Sequence, residues 1–343
     1  MVSPKISLVV GNGFSISSGI FTGLINEMNS QSPLLWSVKC PSTGGCLLDS
    51  LPLLKAIFEE NREKNSFEIF ELALSLEYCK SIGLDHENVT LESRHFLTFA
   101  FSEYSLKQLE YFDENWPWYK WIESHKENIH CAFSLNYDIL LENIFDRIRK
   151  SYYSLQINHH GFGIPLVKPH GSIDFEMMDG IIPWKSELPL QNYVDLNDTP
   201  IIRLEPSELL KPRTQAQCII PNEHNKYKSF QWVKPANDSF IEVSSASDYC
   251  LFIGISYFEC DRDEIDEIVK SLSEDCIIIV ANPNPPEEFM QSIKGRPVML
   301  WSSYDGPVDE EGNIKALKCL KSGKRLAKCF CQSGLNYQYC PCH

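Results

Sequence analysis

The sequence predicts an α/β fold: a doubly wound, mostly parallel sheet with a helical insertion over about residues 47–130 and a small cysteine-bearing module at the C-terminus. Three observations predict it. Short apolar runs with a glycine or polar turn directly behind them recur at Ile6–Val10, Cys131–Leu135 and Tyr249–Ile253, as expected of strands buried on both faces of a parallel sheet. Between the first two runs lies a long stretch of helical periodicity that no glycine-flanked strand interrupts. Five of the 13 cysteines crowd into residues 319–342.

The composition bounds the rest. A chain of 343 residues that is 43% hydrophobic can bury a substantial core. Its 31 basic and 46 acidic side chains give a formal net charge of -15, which repels a phosphate backbone over most of the surface. Direct nucleic-acid binding is therefore not expected, except through a basic tail. No run reaches membrane-spanning length, and the few apolar residues before Gly11 are too short for a signal-peptide core. The expectation is a cytoplasmic protein whose scattered cysteines, Cys40 to Cys276, are reduced core residues.

Taken in order, Ile6–Val10 reads as a buried strand, and Gly11-Asn12-Gly13-Phe14-Ser15 breaks it before a helix. Strand, glycine turn and helix N-terminus together suit a pyrophosphate in a Rossmann-like sheet. Ile16 replaces the third glycine of the usual fingerprint, which argues against an ordinary dehydrogenase. Helical periodicity follows in Leu51-Leu54-Phe58, in Phe67 to Leu76 and in Leu97 to Leu109, and ends in the cluster Trp116, Trp118, Tyr119 and Trp121. That cluster can pack a core or stack on a partner. Cys131–Leu135 is a second strand, with Asn136-Tyr137-Asp138 at its carboxyl end before an amphipathic helix from Ile139 to Phe145. Asn136 or Asp138 serves a ligand there or caps the helix. A third strand near Leu166-Val167 delivers His170, which Gly171 and Ser172 follow. Further strand signals lie at Cys218-Ile219-Ile220-Pro221, at Tyr249–Ile253 ahead of Gly254-Ile255-Ser256, and at Cys276–Val280 ahead of Asn282. An acidic helix spans about Asp263 to Leu272, and Pro297–Trp301 reads as an edge strand.

In this order the motifs resemble those of the sirtuin-like NAD-consuming superfamily over about residues 6 to 283. Gly11-Asn12-Gly13-Phe14-Ser15 with Ser18-Gly19-Ile20 is similar to that family's phosphate loop. Asn136-Tyr137-Asp138 looks like its Asn-x-Asp, His170-Gly171 its catalytic His-Gly, Gly254-Ile255-Ser256 its Gly-Thr-Ser, and Asn282 its adenosine-side asparagine. The chain departs from sirtuin deacylases at Phe21-Thr22-Gly23-Leu24, and it lacks their paired Cys-x-x-Cys module after the histidine. The insertion and the spacing from Gly254 to Asp261 look more like the bacterial anti-phage branch. That resemblance implies hydrolysis of NAD to nicotinamide and ADP-ribose. It also implies partners such as a HerA-type ATPase, an Argonaute or an added sensor domain, and because an uncontrolled NADase would be toxic, control by homo-oligomerisation through the insertion or by a partner on the tail is expected.

In that reading Asn136, His170 and Asp138 are catalytic: Asn136 orients the nicotinamide ribose or the attacking water, His170 accepts a proton and Asp138 organises the nicotinamide side. Gly11, Asn12, Gly13, Phe14, Ser18, Gly254, Ser256, Asp261 and Asn282 hold the dinucleotide. The alternatives are a non-catalytic sensor of NAD or ADP-ribose, and a deacylase or ADP-ribosyltransferase.

The domain expectation is a catalytic domain over 1–305, a basic linker over 306–328 and a zinc knuckle over 329–343. From Ile314 onward there is no acidic residue, and Lys315, Lys318, Lys321, Lys324, Arg325 and Lys328 make an interaction element or a solvated face. Cys329-Phe330-Cys331-Gln332-Ser333-Gly334, Tyr337, Cys340 and Cys342 resemble the zinc motif at the C-terminus of SecA. Two thiolate pairs around a Ser-Gly turn suit one tetrahedral zinc. Pro341 stands where the fourth ligand usually follows Cys340, so Cys342 takes that place, with His343 as the alternative.

Overall fold

The computed structural model describes residues 3–26, 36–40, 43–64, 66–158, 161–177, 201–211, 216–218 and 232–317. Seven strands form one sheet: β1 (Ile6–Val10), β2 (Ile129–Ser134), β3 (Tyr152–Ser154), β4 (Ile164–Val167), β8 (Tyr249–Ile253), β9 (Ile277–Ala281) and β10 (Val298–Trp301). Their order is β10-β9-β8-β1-β2-β4-β3, and every pairing is parallel. β5 (Gly171–Met177), β6 (Ile201–Arg203) and β7 (Ala216–Cys218) form a second, antiparallel sheet in the order β6-β5-β7.

The central strands are apolar at consecutive positions because both faces are covered. On one face Leu8, Val10, Ala132, Leu166, Leu251 and Ile279 meet α6 (Pro117–Ser124) and α7 (Leu140–Arg147). On the other, Val9, Phe133, Val167, Phe252 and Val280 meet α8 (Lys234–Ser244) and α9 (Glu259–Ser271), with Phe289 of α10 (Glu287–Ser292). Trp116, Trp118, Tyr119 and Trp121 are buried in the first face. The tryptophan cluster is thus core packing.

Between β1 and β2 run α1 (Asn12–Thr22), α2 (Pro52–Glu60), α3 (Ser66–Leu74), α4 (Leu76–Ser81), α5 (His86–Glu110) and α6. α5 starts where the Asp85 carboxylate accepts hydrogen bonds from the Glu87 and Asn88 N–H groups. Further along, buried Glu92 accepts the N–H groups of Leu53 and Leu54, and so caps α2 from a neighbouring helix. α5 packs against β5, β7 and α7.

The acidic helix begins earlier than the sequence suggests, at Glu259, because Phe258 is the last extended residue before it. β3 and β6 are three residues long, too short for a recognisable apolar run. β5 escapes sequence recognition because it carries Asp174 and Glu176 inward, and both are buried. Ile219, Ile220 and Pro221 lie outside the described residues, as do all five proposed zinc-motif ligands, Cys329, Cys331, Cys340, Cys342 and His343.

Chain order reverses at β1: it goes on to β2 on one side and returns to β8 on the other. Ligands of open α/β sheets bind at the carboxyl ends of strands flanking such a switch. Here the turns after β1 and β8 touch backbone to backbone. The Gly11 N–H donates to the Ile253 carbonyl at 2.9 Å, and the Gly13 N–H to the Gly254 carbonyl at 2.8 Å. A Cβ on Gly13 would stand 2.6 Å from the Gly254 Cα, and Gly254 itself has φ +61. Both positions therefore require glycine.

Gly13→Ala is expected to lower the unfolding free energy by more than about 2 kcal/mol, read from urea denaturation. Gly83, with φ +73 and nothing within 4 Å of where an alanine methyl would stand, serves as the comparison: its alanine variant costs about 1 kcal/mol. Equal losses in the two variants would refute the close contact as the cause.

Candidate active site

Five strand ends deliver the residues singled out by the sequence to one edge of the sheet. Gly11 to Phe14 follow β1, Asn136 to Asp138 follow β2, His170 follows β4, Gly254 to Ser256 follow β8, and Asn282 follows β9. Parallel pairing in register aligns these ends without any contribution from the ligand.

The turn after β2 is held by β1. The Asn136 side-chain amide donates to the Gly11 carbonyl at 3.1 Å and to Ser15 Oγ at 3.2 Å. Ser15 Oγ directs its own proton to Asp138 Oδ2 at 2.5 Å, and Asp138 Oδ1 accepts the Leu140 N–H at 3.1 Å. With both amide hydrogens of Asn136 committed, Oδ1 is what it can offer a ligand, and that atom only accepts. Both Asp138 oxygens are bonded within the protein, one of them at the start of α7. Burial pushes the Asp138 carboxyl above the ordinary range, and Lys168 and Ser15 oppose this.

His170 is reached from the other side of β1. Its Nε2 lies 3.6 Å from Asp261 Oδ1. Asp261 sits in the first turn of α9, where Ser256 Oγ donates to Oδ2 at 3.5 Å. Its carboxylate is thereby directed at the histidine. Cys260 donates to the same carboxylate at 3.4 Å. Burial, together with the Asp261 charge, pushes the Cys260 thiol up to about 12, so it stays protonated and is a poor nucleophile near neutral pH. The Tyr137 ring lies 6.5 Å from the His170 ring and 5.2 Å from Phe101 of α5. Burial drives its hydroxyl well above the ordinary tyrosine value.

The remaining candidates separate into two groups. Asn12 heads α1, and its N–H takes no part in the glycine–glycine bonds. Phe14 is fully buried against Trp116, with ring centroids 4.9 Å apart, and Ser18 is buried further along α1. The Phe14 ring therefore belongs to the core and anchors the helix. Asn282 donates to the Ile255 carbonyl at 3.1 Å and accepts the Asn284 N–H at 3.0 Å, which ties the turns after β8 and β9 together.

Sequence reasoning assigned no role to Ser15, although it lies inside the quoted loop. It also passed over a buried charged network behind the site. Lys168 is 1% exposed, and its Nζ donates to the Asp138 carbonyl at 2.5 Å, to Ser172 Oγ at 2.8 Å and to Glu142 Oε1 at 3.0 Å. Asp174 accepts from Arg203 Nε at 2.7 Å. Burial raises the Glu142 carboxyl despite Lys168. Burial also presses Asp174 upward, but Arg203 and Lys168 outweigh it and hold Asp174 below the ordinary range. Lysine two residues before the histidine and hydroxyl two after it were the available signals. Among the described residues, no group of three or more His, Cys, Asp or Glu side chains is placed to hold a metal ion.

No protein-family model matches the chain, and no curated protein matches it. Among solved structures, it is similar to Sir2Tm bound to a propionylated peptide, with 11% identity, 88% of each chain covered and a TM-score of 0.42. A structure described under the mechanism and regulation of Sir2 enzymes gives 12% identity, 88% of each chain and 0.40. A third, on sirtuin substrate affinity, gives 11% identity, 88% of this chain, 89% of that chain and 0.40. The α/β assignment rests on the strand order itself and not on these distant likenesses.

Because the folded pKa of Asp174 lies below the ordinary value of about 3.9, its ionised form contributes stability that is present above that value. The contribution is lost as pH falls through the folded pKa. Asp174→Asn is expected to lower the urea midpoint near pH 7, and its deficit relative to wild type is expected to close below about pH 3.9. A deficit that persists undiminished in acid would show that Asp174 acts through something other than its charge.

Proposed function

We propose that this chain is an NAD glycohydrolase that cleaves NAD to nicotinamide and ADP-ribose. The observation that carries the reading is the pairing of two acceptors at adjacent strand ends. One is Asn136 Oδ1, left over after both amide hydrogens are spent; the other is His170, 3.6 Å from the Asp261 carboxylate. Acceptors of this kind suit a hydroxyl or a water, and the neighbouring thiol is held protonated. The motif resemblance supplies the dinucleotide.

In this mechanism the C–N bond between the nicotinamide ring and the ribose breaks, and its electron pair leaves with neutral nicotinamide. The water oxygen bonds the ribose carbon, and the proton it loses goes to His170 and then to solvent. Asp261 holds the imidazole and steadies its charged form. Asn136 fixes the water or a ribose hydroxyl by accepting from it. Ser15 and Asp138 keep the Asn136 amide in one orientation. The Asn12 N–H and the start of α1 face the phosphates. Gly11, Gly13 and Gly254 bring the turns together, so their contribution to binding is close approach and not free donors.

In the cell the reading is an anti-phage effector whose activity is controlled by assembly or by a partner. A homo-oligomer, or a partner protein such as a HerA-type ATPase, is the proposed means, and the C-terminal tail with its zinc knuckle is the proposed grip. A cytoplasmic location is part of this reading. Non-catalytic sensing of NAD or ADP-ribose is the alternative if no turnover occurs under any trigger, and transfer of ADP-ribose differs only in the acceptor.

Purified protein, alone and with lysate from phage-infected cells, is expected to release nicotinamide from NAD. Asn136→Ala and His170→Ala are each expected to reduce release about a hundredfold or more, followed by chromatography. NAD that binds but stays intact in every condition would replace the hydrolase reading with the sensor reading. Separately, metal analysis is expected to find zinc on the full chain, and Cys329→Ser with Cys331→Ser to lose it; equal zinc in the double variant would remove the knuckle from the account.

A further inference from the structure

We propose that Lys168 is a positioning residue that sets the spacing between the Asn136–Asp138 turn and His170; this rests on the reading of Asn136 and His170 as the reacting pair. The two residues arrive on different strands, β2 and β4, and their turns leave the sheet beyond the last paired residues of those strands. Something other than strand pairing has to fix their separation. Lys168 begins the turn that ends in His170, and its ammonium reaches back to the Asp138 carbonyl and to Glu142 on α7. A third donor goes forward to Ser172 Oγ, just past the histidine.

The brace is closed on itself. Ser172 Oγ donates to the Tyr137 carbonyl at 3.2 Å, and the Ile173 N–H donates to the same carbonyl at 3.1 Å. The Gly171 N–H returns to the Lys168 carbonyl at 2.9 Å, with Gly171 at φ +75. One ammonium thus connects the residue after Tyr137 with the hydroxyl two residues after His170, using all three of its hydrogens. Burying that charge beside Glu142 is costly compared with an apolar pair of similar size. Neutralising Glu142 alone would need neither the bond to Asp138 nor the bond to Ser172. Those two bonds span the catalytic turns, and they give the lysine its role. Reaction rates are sensitive to displacements of this kind, because the water must be held by both acceptors at once.

The test uses Lys168→Met combined with Glu142→Gln in the full chain, so that no buried carboxylate is left without its cation, and Ser172→Ala as a milder cut at the other end of the brace. NAD turnover and backbone amide exchange are measured on each. In the double variant kcat is expected to fall about tenfold or more while KM stays within about threefold, with Ser172→Ala between it and wild type. Exchange at the Ile173 amide is expected to quicken in both. Wild-type kcat in the double variant would overturn the proposal and leave Lys168 as a counter-ion of Glu142, as would a lowered kcat with Ile173 protection unchanged. If the double variant does not fold, Ser172→Ala decides by the same two readings. If wild-type protein turns over no NAD, the hydrolase reading has failed on its own, and an Ile173 amide that stays protected in these variants still refutes the brace.

Discussion

The approach of the Gly13 backbone to that of Gly254 governs the carboxyl edge of the sheet. It holds the turns after β1 and β8 in direct contact at the topological switch, where a side chain on either residue would push them apart. The other strand ends are then tied on in series, each by a different bond. Gly254 N–H to the Ala281 carbonyl and Asn282 to the Ile255 carbonyl join β8 to β9. Asn136 to the Gly11 carbonyl joins β2 to β1, and Lys168 joins β4 to β2. A sheet edge that would otherwise end in independent loops becomes one continuous surface. The N–H groups of Gly11, Gly13 and Gly254 are consumed in making it.

Behind that surface the charge is arranged in depth. Lys168, Glu142, Asp174 and Arg203 run from α7 into the small antiparallel sheet, and Arg203 also donates to the Tyr152 hydroxyl of edge strand β3 at 2.7 Å. The network joins the two sheets where neither can pair with the other. Burial acts on each carboxyl in the same direction, but the outcome differs with the partner. Asp174 has a bonded guanidinium and is held below the ordinary range, whereas Glu142 and Asp138 are raised. Asp138 in particular is fixed by Ser15 and Leu140. Through those bonds it ties the turn after β2 to α1 and to the start of α7.

The main sheet was legible in the sequence because its central strands are mostly apolar with a glycine or polar turn behind them, and Ile6–Val10, Tyr249–Ile253 and Cys276–Val280 all read clearly. The helical insertion was legible for the opposite reason, an unbroken helical period. What escaped was structure whose strands carry charge inward or are too short to show a pattern. β5 is built around buried Asp174 and Glu176, and β3 and β6 are too short to show a period. The same limit applies to the site. Asn136 and His170 stood out by position behind strands, but the partner of His170 could not be read from spacing: Asp261 is 91 residues away and comes to it only because α9 starts beside the turn after β8. The burial of Phe14 was illegible for a related reason, since its place in a glycine loop says nothing about the tryptophans that bury it.

The position of Asp261 puts a carboxylate beside the imidazole at this edge. Both ends of Asn282 are bonded within the turns. What the edge presents is acceptors, Asn136 Oδ1 and the imidazole backed by a carboxylate, beside the Tyr137 ring on which Phe101 of the insertion packs. An acceptor-rich edge in a protein of net charge -15 suits the cationic nicotinamide end of a dinucleotide, whose positive charge shifts onto the ribose as the bond breaks. Selectivity in the proposed reaction would then come from the reacting end of the substrate. The insertion brings α5 against β5, β7 and α7, and Phe101 of α5 packs on the Tyr137 ring beside His170, so a packed route runs from the insertion to the end of the site where the proposed chemistry takes place.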